Sequence, residues 1–154
     1  MKTTIKILLV SGILISTVAF SVKKTEERES EKAVKELVLS AYVNGAFNDL
    51  DTDAMQKGFH EDFSIYSAKG EELSKYPIAD WVASSRKRRD NGYDATDEKN
   101  VWKPTFVSVD VTGGAAQVKV ELRNQGNHVY TDYLSLLKFE SGWRIVAKVY
   151  HSHK

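Results

Sequence analysis

The stretch YTDYLSLLKFESGWRIVAKVYH, residues 130 to 151, decides the fold of this chain. It consists of two β-strand patterns on either side of a Ser141-Gly142 turn. The two strands place one acidic residue, several aromatic residues and one histidine on a largely apolar sheet. The stretch therefore predicts a β-hairpin, but it specifies no reaction.

The residues before this hairpin continue the same period-two pattern. Strands are predicted over Phe106–Thr112 and Ala115–Arg123, joined at Gly113-Gly114. In the second of them, one face is wholly apolar: Ala116, Val118, Val120 and Leu122. With His128–Phe139 and Trp143–Ser152, these strands predict a four-stranded antiparallel meander.

Residues 25–88 are predominantly helical in their pattern. A helix is predicted over Thr25–Asn48, since apolar residues recur at three- and four-residue spacing: Val34, Leu37, Val38, Ala41, Tyr42 and Gly45. Asp51 or Thr52 is expected to cap a short second helix that ends near Phe59. After a short strand at Phe63–Ser67 and a loop, a third helix is expected over Pro77–Arg88.

This order of elements predicts an α+β domain. Three N-terminal helices are expected to pack on a curved antiparallel β-sheet, and residues 22–154 are expected to form this one domain. About 130 residues is enough chain for a substantial hydrophobic core. We see no internal repeat that would indicate a further domain.

The N-terminal 21 residues have the pattern of a secretory signal peptide. Lys2 and Lys6 form a basic region, and Ile7–Phe20 is mostly apolar. Small residues have the spacing of a cleavage site at its end, either Thr17 and Ala19 or Ala19 and Ser21. The apolar run is shorter than the ~20 residues that span a bilayer. We therefore expect cleavage near residue 21, a periplasmic or secreted protein, and no membrane association afterwards.

Composition excludes several functional classes. The chain has no cysteine, so disulfides, thiolate metal ligands and cysteine catalysis are all absent. Loss of residues 1–21 leaves 20 of the 22 basic side chains against 21 acidic ones, a net charge of −1. Such a balance gives no general attraction for nucleic acid. The sequence also lacks a phosphate-binding glycine loop, a GxSxG motif and an HExxH motif, and we expect no cofactor.

Two segments carry a family resemblance. GAFNDLDTDAMQKGFHEDF, residues 45–63, and the hairpin at residues 130–151 resemble the family called "Putative lumazine-binding". The order of elements resembles its wider group, the nuclear transport factor 2-like superfamily, which includes ketosteroid isomerase and scytalone dehydratase. This resemblance implies a pocket between the helices and the concave sheet face, and a homodimer formed through the other face. Its members range from isomerases to plain binding modules, so the fold alone assigns no function.

Two ionisable residues are candidate catalytic groups. His60 follows the second helix, and a neutral imidazole can both donate and accept a proton near pH 7. Asp132 lies in an otherwise apolar strand, where an unpaired carboxylate is costly and a raised pKa would suit a base. The alternatives are a half-exposed loop histidine, and a structural acid paired to Arg144, Lys148 or a tyrosine hydroxyl.

Aromatic side chains are the candidate walls of a ligand pocket. The set comprises Tyr42, Tyr66, Trp81, Trp102, Tyr130 and Tyr150. The alternative for these residues is simple core packing. His151 and His153 share one side of a strand, but two histidines with no evident third ligand make a weak metal site, and we expect no metal.

Two functional hypotheses remain open. The preferred one is an exported domain that binds a small apolar or aromatic molecule. The other is a cofactor-independent isomerase, dehydratase or hydrolase in which His60 and Asp132 transfer protons and a tyrosine hydroxyl stabilises an oxyanion.

Overall fold

Three helices and a six-stranded sheet make up residues 24–153, the part of the chain that this computed structural model describes. The predicted signal peptide, residues 1–21, lies outside the described residues. Helix α1 covers residues 24–48; it is an α-helix to residue 37 and a π-helix over Val38–Asn48. The other elements are α2 (Thr52–Gly58), α3 (Ile78–Asp90), β1 (Phe59–Lys69), β2 (Glu72–Pro77), β3 (Trp102–Thr112), β4 (Ala115–Asn124), β5 (Asn127–Phe139) and β6 (Gly142–Ser152), with one 3-10 turn at Glu98–Asn100 before β3.

The predicted meander is confirmed in strands β3 to β6, which pair in sequence order as antiparallel neighbours. The full sheet has the order β2-β1-β6-β5-β4-β3. β1 pairs in parallel with β6 and antiparallel with β2. The expectation of a purely antiparallel sheet was therefore wrong, because the first strand returns beside the last one.

The expectation that all three helices precede the sheet was also wrong, since α3 follows β2. The short strand expected at Phe63–Ser67 extends over Phe59–Lys69, and the loop expected after it contains β2. All six residues of β2 are exposed. The sequence therefore lacks the alternation of apolar and polar residues that would predict this strand. Pro77 ends β2 and is the N-cap residue of α3.

The predicted apolar faces form the core. Along α1, Val34, Val38, Ala41 and Tyr42 are all buried, and Leu37 packs at their edge. The expected inner face of β4, from Ala116 to Leu122, is buried opposite them. α2 begins as predicted, because the Asp51 carboxylate accepts hydrogen bonds from the backbone N–H groups of Asp53 and Ala54.

Bulges curve the sheet over the helices. The register shifts once in each of the pairs β1–β6, β3–β4, β4–β5 and β5–β6, and a bulge bends its strand and increases the local twist. No helix within residues 24–153 is long and apolar enough to cross a membrane.

Candidate functional site

Three polar side chains meet inside the otherwise apolar core. Asp132 is fully buried on β5, and Lys148 on β6 is only 4% exposed. The Tyr42 hydroxyl donates a hydrogen bond of 2.7 Å to Asp132 Oδ2. Lys148 Nζ lies 2.7 Å from Asp132 Oδ1 and donates a hydrogen bond of 2.6 Å to the Tyr42 hydroxyl. We call these three residues the buried triad.

Each member of the triad comes from a different element. Tyr42 lies in the π-helical part of α1. Asp132 shares the inner face of β5 with Leu134 and Leu136, which are both buried. This settles which face of the sheet the acid occupies: it points toward the helices.

Lys148 points inward because of a bulge. Ile145 pairs with Leu136 and Ala147 pairs with Ser135, so Val146 between them has no partner on β5. Strict alternation from the buried Ile145 would place Lys148 on the outer face. The extra residue reverses the alternation and turns Lys148 into the core, where it pairs with Leu134 across the sheet.

Burial sets the electrostatics of the triad. Desolvation lowers the pKa of Lys148, and the nearby Asp132 charge opposes that shift. Desolvation raises the pKa of Tyr42 well above its usual value, and the charge and hydrogen bond of Asp132 raise it further. The phenol therefore stays protonated and can act as a hydrogen-bond donor at any physiological pH.

One N–H group of Lys148 is left over. An ammonium group has three donors, and Tyr42 and Asp132 use at most two. The contact with Asp132 Oδ1 has the distance of an ion pair, although its angle is not that of a hydrogen bond. Among residues 24–153, no acceptor takes the third N–H of Lys148.

Aromatic rings surround the Lys148 ammonium. Nζ lies between 4.9 and 5.9 Å from five ring centroids, those of Tyr42, Phe47, Trp81, Tyr130 and Tyr150. Contacts of this length are attractive cation–π interactions, which help to offset the desolvation of a buried cation.

A cavity of about 280 Å³ opens beside this ammonium. It is lined by Phe47, Ile65, Ser67, Tyr76, Trp81, Tyr130, Lys148 and Tyr150. Its volume lies just below the range of small-molecule sites, about 300 to 1,000 Å³. Six of its eight lining residues are aromatic or aliphatic, and the other two are Ser67 and Lys148. We call this space the aromatic pocket.

The structure places three of the six predicted aromatic residues in the lining of this pocket. Trp81, Tyr130 and Tyr150 line it. Tyr42 is not part of the lining but contacts it through its hydrogen bond with Lys148. Trp102 is not part of the lining either; it stacks on the lining residue Tyr130 with 5.7 Å between ring centroids. Tyr66 lies outside the lining: its neighbours Ile65 and Ser67 face the pocket, so the alternation of β1 directs Tyr66 away from it.

His60 and Asp132 are not brought together. His60 stacks on Phe139 with 5.0 Å between ring centroids, and its Nδ1 accepts a hydrogen bond from the backbone of Asp62. Its neighbour Phe59 pairs with Ile145, whereas Asp132 pairs with Tyr150. Five residues along β6 separate these two points by about 15 Å.

The histidines near the C-terminus cluster with a third one on β5. The Thr131 hydroxyl lies 3.0 Å from His128 Nε2 and 2.9 Å from His153 Nε2. The rings of His151 and His153 are 4.7 Å apart. No group of three or more His, Cys, Asp or Glu side chains in the described part of the chain is arranged to hold a metal ion.

A larger cleft, of about 710 Å³, lies between the start of α1 and the turn that joins β3 to β4. Of its charged lining residues, Glu26, Glu29 and Lys138 are exposed and Glu27 is half-buried. It contains no buried ionisable group, so the smaller aromatic pocket is the better candidate site.

Comparison with known proteins identifies the family. Residues 29–151 match the family described as "Putative lumazine-binding". The chain belongs to this family. Its fold places it in the nuclear transport factor 2-like superfamily, as the resemblance implied.

Solved structures of similar proteins support the same assignment. A nuclear transport factor 2-like protein of unknown function from Shewanella baltica is 27% identical, with a TM-score of 0.62 over 80% of this chain and 93% of that one. A second, from Silicibacter pomeroyi, is 25% identical, with a TM-score of 0.60 over 84% and 98%. A third, from Methylobacillus flagellatus, is 28% identical, with a TM-score of 0.59 over 80% and 91%.

One protein whose sequence is similar to this chain is an enzyme. The aldolase FrzH from a Cladobotryum species is 28% identical over 99 residues, which are 64% of this chain and 73% of the aldolase.

Lys148 is the site residue that sequence reasoning did not identify as functional. It entered only as one possible partner of Asp132, and the structure realises that pairing together with a tyrosine hydroxyl. The available signal was a lysine in an apolar closing strand, IVAKVYH. That signal is ambiguous, because the bulge at Val146 decides which face the lysine occupies.

Proposed function

We propose that the protein binds a small planar molecule in the aromatic pocket, with an acceptor oxygen of that molecule hydrogen-bonded to Lys148. The observation that carries this proposal is the unused N–H of a buried ammonium beside a cavity. Buried donors in proteins almost always have a partner. A carbonyl or carboxylate oxygen would provide one here.

The walls favour a ligand with a flat apolar body. Trp81, Tyr130 and Tyr150 present ring surfaces to the cavity, and aromatic rings pack well in offset or edge-to-face arrangements. A volume of about 280 Å³ fits a molecule of one or two rings. The family description names lumazine, a two-ring compound with carbonyl oxygens; the proposal extends to other flat carbonyl compounds.

Filling the cavity tests this proposal. Ser67 lines the pocket, so Ser67→Phe places a ring inside it and is expected to remove binding. Ser108→Phe is the matched control, because Ser108 is an exposed residue on β3, outside this lining. Thermal-shift screening of flat carbonyl and carboxylate compounds should give hits with the wild type and Ser108→Phe only. Equal hits with Ser67→Phe would contradict the assignment of the pocket.

A second candidate function is cofactor-independent catalysis on a carbonyl compound. The buried triad favours it, because Lys148 is placed to stabilise an enolate oxygen while Tyr42 and Asp132 transfer a proton. The relationship to an aldolase adds support. This version assigns the chemistry to Lys148, Tyr42 and Asp132 in place of the His60–Asp132 pair. Turnover of a β-hydroxy ketone by the wild type and not by Lys148→Met would distinguish catalysis from binding.

Export remains part of the proposal. The basic, apolar and small residues of positions 1–21 support it. Mass spectrometry of the expressed protein should find an N-terminus near residue 21; an intact Met1 would contradict it.

Homodimerisation through the outer sheet face is also proposed. Tyr133, Leu137 and Val149 are 43%, 44% and 51% exposed on this face, and a second copy would cover these apolar side chains. Sizing chromatography should give a dimer, and a strict monomer would contradict this assembly.

A further inference from the structure

We propose that Lys148 is a nucleophilic lysine that forms an imine with an aldehyde or ketone bound in the aromatic pocket. This inference rests on the proposed ligand-binding function and deepens it, since it names both the reacting atom and the substrate class. The chemistry needs a neutral amine, access to a bound carbonyl carbon, and a nearby group that moves protons.

The pocket supplies access to the amine. Lys148 is part of the lining of the cavity while being almost completely shielded from bulk solvent. Its Nζ lies among five aromatic rings, so a carbonyl compound that packs against Trp81 or Tyr150 brings its carbonyl carbon close to the nitrogen. The low exposure of Lys148 limits the access of bulk water to an imine formed there.

The triad supplies the neutral amine. Burial disfavours the ammonium form. Transfer of one proton from Lys148 to Asp132, through the Tyr42 hydroxyl that is hydrogen-bonded to both, converts a buried ion pair into two neutral groups. A lysine with a lowered pKa in an apolar pocket is a well-established form of activated nucleophile.

The proposed reaction conserves atoms and charge. After Lys148 gives a proton to Asp132, its nitrogen lone pair adds to the carbonyl carbon, and a proton passes from nitrogen to oxygen to form a carbinolamine. Asp132 then returns its proton to the carbinolamine hydroxyl, through Tyr42 or directly. Water leaves, and a protonated imine remains beside the Asp132 carboxylate. The net change is one carbonyl compound bound and one water released, with the ion pair restored.

Tyr42 is suited to relay that proton. Its hydroxyl accepts from Lys148 and donates to Asp132, so it connects the nitrogen to the carboxylate. Its raised pKa keeps the relay in the protonated form. Tyr42 also fixes the position of both partners, because it is fully buried in α1.

Reductive trapping tests the inference on the wild-type protein. Incubation with benzaldehyde and sodium cyanoborohydride at pH 7 converts any imine to a stable benzyl-lysine, which peptide mass spectrometry assigns to a residue. We expect Lys148 to be labelled faster than Lys75, since burial lowers the pKa of Lys148 and so raises the neutral fraction of its amine. Lys75 is the matched comparison because it also lies over an aromatic ring, 5.8 Å from that of Tyr66, but is exposed.

The outcomes separate this inference from the proposed function. If benzaldehyde raises the unfolding temperature but Lys148 stays unlabelled, the imine is refuted and the binding pocket stands. If there is neither stabilisation nor label, both proposals fail for this ligand class. In Lys148→Met, the label on the peptide that spans residue 148 should vanish while surface labelling is unchanged. Assignment of the labelled lysine in the wild-type protein decides whether Lys148 forms an imine, even if that variant does not fold.

Discussion

At the scale of single residues, the central feature is one buried cation with one buried carboxylate. Asp132 and Lys148 each lose their hydration in the core, and such a loss costs several kcal/mol per ion. Their mutual attraction, the Tyr42 hydroxyl and the surrounding rings offset this cost. A pair of this kind contributes little net stability, which fits the functional role that we propose for it.

Removal of one partner of this ion pair should therefore destabilise the protein much more than removal of both. Asp132→Asn leaves the Lys148 ammonium buried without a counter-charge, and we expect a loss of about 3 kcal/mol or more in the free energy of unfolding. The double variant Asp132→Leu/Lys148→Met should recover most of that loss, because an apolar pair needs no hydration. Chemical denaturation of the three proteins checks this. Equal stability of wild type and Asp132→Asn would mean that the ion pair is not formed.

At the scale of the elements, the π-helix Val38–Asn48 positions the site. π-helical turns are rare and usually appear as single-turn bulges, often at functional sites; this one extends over 11 residues. It carries Tyr42 and Phe47, whose rings both face Lys148. Its wide turns are visible at its end, where the Asp49 N–H donates to the carbonyl of Asn44, five residues earlier.

The contact of this helix with α2 can be tested at Gly58. A Cβ atom at Gly58 would overlap the Cβ of Ala41, which lies in the π-helix next to Tyr42. Gly58→Ala should therefore destabilise the protein by about 1 to 3 kcal/mol, although alanine is the better helix former. Gly114→Ala is the control, because its nearest neighbour is Lys138 Cβ at 3.9 Å. Denaturation curves compare the two variants. If Gly58→Ala leaves the free energy of unfolding unchanged, α2 packs less closely against α1 than described.

Elements with a strong hydrophobic period were predictable from the sequence, whereas the ones that complete the site were not. The meander and the buried stripe of α1 follow from residue spacing, and both are confirmed. β2 has no buried residue and so leaves no pattern. The inward turn of Lys148 depends on a bulge at Val146, which results from pairing between strands and leaves no local signal.

At the scale of the whole molecule, the sheet and helices bury the Lys148 ammonium, although burial of an ion pair adds little to stability. The mixed sheet brings β1 beside β6, so that Ile65 and Ser67 close one side of the aromatic pocket. α1 and α3 close the others through Phe47 and Trp81. The pocket is thus assembled from distant parts of the chain around a single ammonium group.

The most direct test of this account is a calorimetric titration of a ligand from the thermal-shift screen into three proteins: wild type, Lys148→Met and Lys75→Met. A hydrogen bond to a charged group contributes about 1.5 to 3 kcal/mol, so Lys148→Met should bind about 10- to 100-fold more weakly. Lys75→Met, which removes an exposed lysine over Tyr66, should bind as the wild type does. Equal affinity in all three proteins would contradict the central claim that the buried Lys148 ammonium recognises the ligand.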